Sequence, residues 1–97
     1  MSDFDLVLPA AVDVREVGMR DGLQLEDPLP LADKLAMLEA IVATGVRRVE
    51  VTSFVSPKAV PALADADQVA AELHRFAGVH FSALVANPRG AVRAVDA

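Results

Sequence analysis

A chain of 97 residues has room for one domain at most, and a hydrophobic content of 54% excludes a disordered one. With only 4% aromatic residues, its core must come from Val, Leu and Ala. A net charge of -5 without a basic stripe argues against nucleic acid as a partner, the apolar runs fall short of the roughly 20 residues of a membrane helix, and the lack of cysteine excludes disulfides, thiolate ligands and a thiol nucleophile in this chain.

Residues 1 to about 10 read as an irregular leader ending at Pro9. Its acidic start, Met1-Ser2-Asp3-Phe4-Asp5, has neither the positive flank of a secretory signal nor the Arg-rich pattern of a transit peptide, so the expected location is the cytoplasm. A first strand is expected from Val12 to Met19. Gly18 and Gly22 then bracket Arg20 and Asp21, where the backbone can bend sharply or approach a ligand. Pro28 and Pro30 punctuate a loop. A helix follows from about Leu31 to Thr44, because Leu31, Leu35, Leu38, Ile41 and Val42 recur at steps of three and four. Asp33, Lys34 and Glu39 lie off that stripe. Pro30 suits the first helical position and Gly45 a stop, whereas Leu29 cannot accept a capping hydrogen bond.

Val46 to Phe54 reads as a strand covered on both faces. Pro57 and Pro61 limit Ser56 to Ala62 to a short helical turn at most. A second helix, from Asp65 or Asp67 to Phe76, carries Val69, Leu73 and Phe76 on one face and ends at Gly78. Val79 to Ala86 is the third expected strand, Asn87-Pro88-Arg89-Gly90 a turn, and Ala91 to Ala97 the opening of a third helix that reads as cut rather than finished.

The order βαβαβα argues for an α/β fold with parallel neighbours and right-handed crossovers. In such folds ligands bind beyond the carboxyl ends of the strands. Those ends are Arg20-Asp21-Gly22, Thr52-Ser53-Phe54 and Asn87-Pro88-Arg89; each carries polar residues, and all fall on one rim. Glu50 stands between Val49 and Val51 in an apolar strand, where a carboxylate needs a cation, a donor or a proton. Arg20 is a candidate partner and Arg15 another; a solvated strand-edge carboxylate is the alternative. Asp21 offers a hard oxygen to a divalent cation, yet one carboxylate is not a metal site, and a turn Asp bonding its own backbone has the same look. His74, on the wet face of the second helix, and His80, near the start of the third strand, fit no metal pattern. Ser53 has no nearby base to activate it, and Lys58 is either a solvated loop charge or the partner of an anion. Neither a dinucleotide-binding glycine fingerprint nor a P-loop is present.

Three segments, taken together, carry a family resemblance: Arg15-Glu16-Val17-Gly18-Met19-Arg20-Asp21-Gly22-Leu23-Gln24, then Val49-Glu50-Val51-Thr52-Ser53-Phe54-Val55-Ser56-Pro57-Lys58, then Val85-Ala86-Asn87-Pro88-Arg89-Gly90. In this order and spacing they resemble hydroxymethylglutaryl-CoA lyases, and more widely the metal-dependent lyases and condensing enzymes related to isopropylmalate and homocitrate synthases. The resemblance implies the first three strands of a TIM (β/α)8 barrel, residues 1–97 forming the N-terminal part of one barrel domain. It implies carbon-carbon cleavage of a 3-hydroxy-3-methylglutaryl-CoA-like thioester to acetyl-CoA and an acetoacetate-like keto acid, with Mg²⁺ or Mn²⁺ as cofactor. Arg20 would polarise the carbonyl or enolate oxygen, Asp21 would bind the metal, and Gln24 would hydrogen-bond nearby. Glu50 would be an active-site carboxylate supporting Arg20, Ser53 would line the pocket, and Asn87 would sit near the acyl-CoA substrate. The family's later His-x-His and Asn metal ligands and its mobile-loop Cys have no counterpart here. The chain alone is therefore expected not to catalyse, and unpaired sheet edges are expected to favour self-association. A condensing synthase and a non-catalytic βαβαβ interaction module are the alternative readings.

Overall fold

The computed structural model describes residues 7–97. Of the expected leader, residues 1–6 lie outside these, and residues 7–10 are irregular and exposed. Three strands, β1 (Arg15–Glu16), β2 (Arg48–Phe54) and β3 (His80–Val85), form a sheet in the order β1-β2-β3. Both pairings are parallel, as the βαβαβα reading expects. Helix α1 (Leu31–Ala43) joins β1 to β2, α2 (Ala66–Ala71) joins β2 to β3, and α3 (Pro88–Asp96) follows β3.

The core sits between the sheet and its helices. Met19, Leu23, Leu38, Val49, Val51, Leu63 and Val69 are buried there, and Leu31, Met37, Ile41, Leu73, Phe76 and Phe81 pack around them. The α1 stripe forms as its spacing predicts. Leu31 rather than Pro30 is its first residue, no side chain caps it, and the chain leaves it through Gly45 at φ 91, a left-handed turn that favours glycine.

Three expectations need correction, and one residue lies deeper than its place in the pattern suggests. The first strand is far shorter than Val12 to Met19: only Arg15 and Glu16 find partners, opposite Arg48 and Val49. Val12 and Val14 stay 73% and 64% exposed, and Met19 belongs to the next turn rather than the strand. Lys34 lies off the stripe, as its spacing predicts, and is nevertheless buried. It is 3% exposed, and its ammonium donates to the Ala62 carbonyl and to Asp65 Oδ1, each at 2.5 Å. That pair also changes the second helix, because the Asp65 carboxylate holds Lys34 instead of capping a backbone amide. The α-helix stops at Ala71, and a 3-10 turn over Leu73–Arg75 completes the distance to Gly78. Finally, the expected turn Asn87–Gly90 is already helix. Asn87 is its N-cap, with Oδ1 accepting from the Gly90 amide at 2.8 Å, and Pro88 is the first residue.

The start of α3 lies directly on the end of β2. A Cβ at Gly90 would overlap the Phe54 carbonyl oxygen and stand 3.3 Å from Val85 Cγ1. Backbone cannot swing aside as a flexible side chain can, so Gly90→Ala is expected to cost about 2 kcal/mol; urea unfolding measures this. Arg93 ties the same corner together. Its guanidinium lies 5.5 Å from the centre of the Phe54 ring, donates to the Val55 carbonyl at 3.2 Å and reaches Asp67 Oδ2 at 3.1 Å.

One irregularity in β2 decides which side chains face the open side of the sheet, away from the helices. The register runs Glu50 opposite Ser82, then Thr52 opposite Ala83, so Val51 is an extra residue. Residues in register across a sheet share a face. Val49, Thr52 and Phe54 therefore lie with Phe81, Ala83 and Val85 toward the helices, whereas Glu50 and Ser53 lie with Ser82 and Leu84 on the opposite, open face. A regular strand would put Glu50 and Ser53 on opposite sides. The bulge brings them together.

Candidate active site

The segment after β1 is a five-residue π-helical turn, Gly18–Gly22. The Val17 carbonyl organises it, accepting from the amides of Arg20 at 3.1 Å, Asp21 at 2.7 Å and Gly22 at 3.4 Å. Met19 and Leu23, four residues apart, sink into the core on either side of the turn. Arg20 and Asp21 are thereby held outward between two buried anchors. Sequence composition brackets this turn correctly; the burial of Met19 and Leu23 fixes where it sits against the core.

Arg20 crosses to β2. Its Nε donates to Glu50 Oε1 at 2.6 Å, with the two side chains 19% and 14% exposed. A charge-assisted bond between groups this sheltered is much stronger than one at the open surface. The carboxylate expected to need a cation has found Arg20, not Arg15. On the other side Arg20 Nη1 lies 3.5 Å from Asp21 Oδ1, a weak contact, and the Asp21 side chain remains 59% exposed. Asp21 thus presents carboxylate oxygen outward beside a guanidinium that Glu50 already balances.

The other predicted residues are placed less uniformly. Ser53 shares the face of Glu50, but it is buried and its hydroxyl donates to the Leu84 carbonyl at 3.2 Å. Gln24 is half-buried just past the turn. Asn87 spends its oxygen on the α3 cap and borders a separate cleft of about 410 Å³, lined also by Ser56, Pro57, Arg89 and Arg93. The polar rim is therefore two neighbouring features: the Arg20–Asp21–Glu50 cluster at β1 and β2, and this cleft beyond β2 and β3. Lys58 and His74 are exposed, the latter with Nδ1 2.9 Å from the Ala71 carbonyl, and His80 is exposed at the amino end of β3.

Oxygen donors suit a hard divalent cation, and the exposed Asp21 carboxylate has that character. Among the described residues no group of three or more His, Cys, Asp and Glu comes together to hold a metal. Of the residues present, Asp21 would supply one oxygen donor to such a site, which is one corner of it and not the whole.

No family model matches the chain. Curated relatives do: hydroxymethylglutaryl-CoA lyase of Bacillus subtilis is 46% identical over 90 residues, covering 91% of this chain and 30% of that protein. The 3-hydroxy-3-isohexenylglutaryl-CoA/hydroxymethylglutaryl-CoA lyase of Pseudomonas aeruginosa is 42% identical over 90 residues, with 92% and 30% covered. A crystal structure of hydroxymethylglutaryl-CoA lyase from the same species superposes with a TM-score of 0.85 at 41% identity, over 92% of this chain and 30% of that one. The chain is related to the hydroxymethylglutaryl-CoA lyases. It spans about 30% of the length of the relatives it matches. A further lyase structure, from Acinetobacter baumannii in complex with coenzyme A and 3-methylmalate, matches 87% of this chain and 28% of its own with a TM-score of 0.80. The parallel α/β arrangement is thus that of the corresponding part of the lyase barrels.

Within this lyase-like unit, sequence reasoning passed over Glu16, Lys34 and Arg93. Glu16 carried a readable signal, the same one that drew attention to Glu50: an acid beside apolar strand residues. Lys34 and Arg93 carried none, since each meets its carboxylate across more than twenty residues of chain, at Asp65 and Asp67.

Proposed function

We propose that this chain supplies the Arg20–Asp21–Glu50 part of a lyase that cleaves 3-hydroxy-3-methylglutaryl-CoA, or a closely similar thioester, to acetyl-CoA and a 3-keto acid. The observation that carries this reading is the 2.6 Å Arg20–Glu50 pair at the carboxyl-end rim of a parallel sheet. Cleavage removes the proton of the substrate's tertiary hydroxyl, converts that carbon to a ketone, breaks the bond to the neighbouring carbon and leaves its electron pair as the enolate of acetyl-CoA. Protonation at carbon then releases acetyl-CoA. Negative charge develops on the thioester oxygen, and a preoriented donor beside it lowers the barrier. Arg20 is suited to donate there, because Glu50 engages Nε, which fixes the guanidinium plane and leaves the Nη groups to reach the substrate. Asp21 would hold a divalent cation, Mg²⁺ or Mn²⁺, which when bound supplies Lewis-acid polarisation of a substrate oxygen. The cleft of about 410 Å³ beside Asn87 offers room for part of the acyl-CoA.

The test is a chimera in which residues 12–97 replace the corresponding segment of the Bacillus subtilis lyase. Release of acetyl-CoA from 3-hydroxy-3-methylglutaryl-CoA in the presence of Mg²⁺ is expected from the chimera and not from the 97-residue chain. A folded but inactive chimera overturns the lyase reading; turnover by the chain alone overturns the claim that it contributes only part of the site.

A further inference from the structure

We propose that Glu16 is the positioning residue of the Arg20–Asp21 turn, acting as a hydrogen-bond acceptor and not through its charge. Glu16 is the last residue of β1, in register with Val49 on the helix side of the sheet, the face away from Glu50. Its carboxylate touches neither Arg20 nor Asp21. Instead, Oε1 accepts from the Gly18 amide at 2.7 Å in a partly buried position, and a Cβ at Gly18 would meet both this oxygen and, at 3.7 Å, Cε of the α1 residue Met37. A carboxylate in this otherwise apolar layer needs a reason, because desolvating it is costly.

The geometry supplies one. The Glu16–Gly18 bond closes a small ring around Val17 and holds its backbone at φ -122, ψ 9. That conformation aims the Val17 carbonyl along the turn, where it collects the amides of Arg20, Asp21 and Gly22. Glu16 therefore sets Val17, Val17 sets the turn, and the turn sets where Arg20 meets Glu50. Short-range sequence makes the whole relay, which begins at Glu16 and ends at Gly22, so only the anchoring of Met19 and Leu23 is needed from the rest of the fold.

The inference rests on the proposed roles of Arg20 and Asp21 for its functional meaning, but its test reads the turn directly, so an inactive chimera leaves it untouched. The probe is amide hydrogen exchange and the Arg20 Nε–H resonance in the ¹⁵N-labelled 97-residue chain. Glu16→Gln keeps an acceptor oxygen and loses the charge; parent exchange rates at Arg20, Asp21 and Gly22 and an unmoved Nε–H resonance are expected. Glu16→Ala loses the acceptor. Exchange at those three amides is expected to rise roughly tenfold, the ratio given by one hydrogen bond of ordinary net strength, while Val49 and Val51 keep parent rates and the Nε–H resonance shifts. The proposal fails if Glu16→Ala leaves the turn amides unchanged, if Glu16→Gln accelerates them as much as Glu16→Ala, or if turn and β2 amides accelerate together. Should Glu16→Ala not fold, Glu16→Gln decides alone, parent rates supporting the proposal and faster ones overturning it.

Discussion

Arg20→Met, placed in the active chimera, lowers kcat by roughly 10²- to 10³-fold with little change in KM, the range seen when one preorganised donor is removed from a developing oxyanion. Met keeps an unbranched apolar stem in place of that of Arg and the turn stays anchored through Met19 and Leu23, so the loss reports on the guanidinium and its pairing with Glu50. Arg20→Lys sharpens the test. Lysine keeps a positive charge but has no Nε fork with which to engage Glu50 while donating elsewhere, so it is expected to recover only a small part of the activity. Steady-state kinetics on both variants, alongside circular dichroism to show that they fold, gives the answer. Near-parent activity in Arg20→Lys would mean that charge alone suffices and that the 2.6 Å bond to Glu50 is incidental to catalysis.

Lys34→Met destabilises the chain by about 3 kcal/mol, the lower end of what breaking a buried ion pair costs, because Asp65 keeps some access to water. The Lys34 side chain is 3% exposed and that of Asp65 19%, and the bond to Ala62 adds a backbone acceptor that Met cannot satisfy. The mechanism is the stranded carboxylate rather than lost packing, since Met fills much the same space as the lysine stem. A double-variant cycle separates the two. Lys34→Met combined with Asp65→Ala is expected to be less destabilised than the sum of the singles by about 1–2 kcal/mol, in urea unfolding, because the partner left behind is gone. Additive effects would show that the pair is not coupled and that α1 and α2 are held by apolar contact alone.

Lys34 also shows why pattern reading has limits here. Its place outside the 3.6-residue stripe is real, yet it sits where the chain after β2 returns over α1 and brings the Ala62 carbonyl and Asp65 onto it. Periodicity within one helix carries no record of what another segment brings. The same holds for β1. Val12, Val14, Val17 and Met19 have strand composition, but a strand exists only as far as a partner extends, and β2 offers Arg48 and Val49 to β1 before the chain turns away. Open edges remain at β1 and β3 among the described residues, each of which pairs on one side only.

What the amino-acid sequence determined by itself was the succession of elements and the rim on which the polar residues gather. Helix stripes at steps of three and four, β-branched runs, and glycines at Gly45 and Gly78 are local signals, and parallel strands joined by helices bring their carboxyl ends to one side. That Glu50 needs a partner was readable for a related reason, since a carboxylate in an apolar strand must be balanced, but Arg20 and Arg15 were both candidates and the structure selects Arg20. Only the tertiary structure decided that Ser53 shares the face of Glu50, because an extra residue at Val51 shifts the alternation between them. It also decided that the Ser53 hydroxyl and the Asn87 oxygen are engaged by backbone, at Leu84 and Gly90, which no spacing of residue types reveals. Register and long-range contact are set by how strands and helices settle against one another, and that is a property of the packed whole rather than of any stretch of chain.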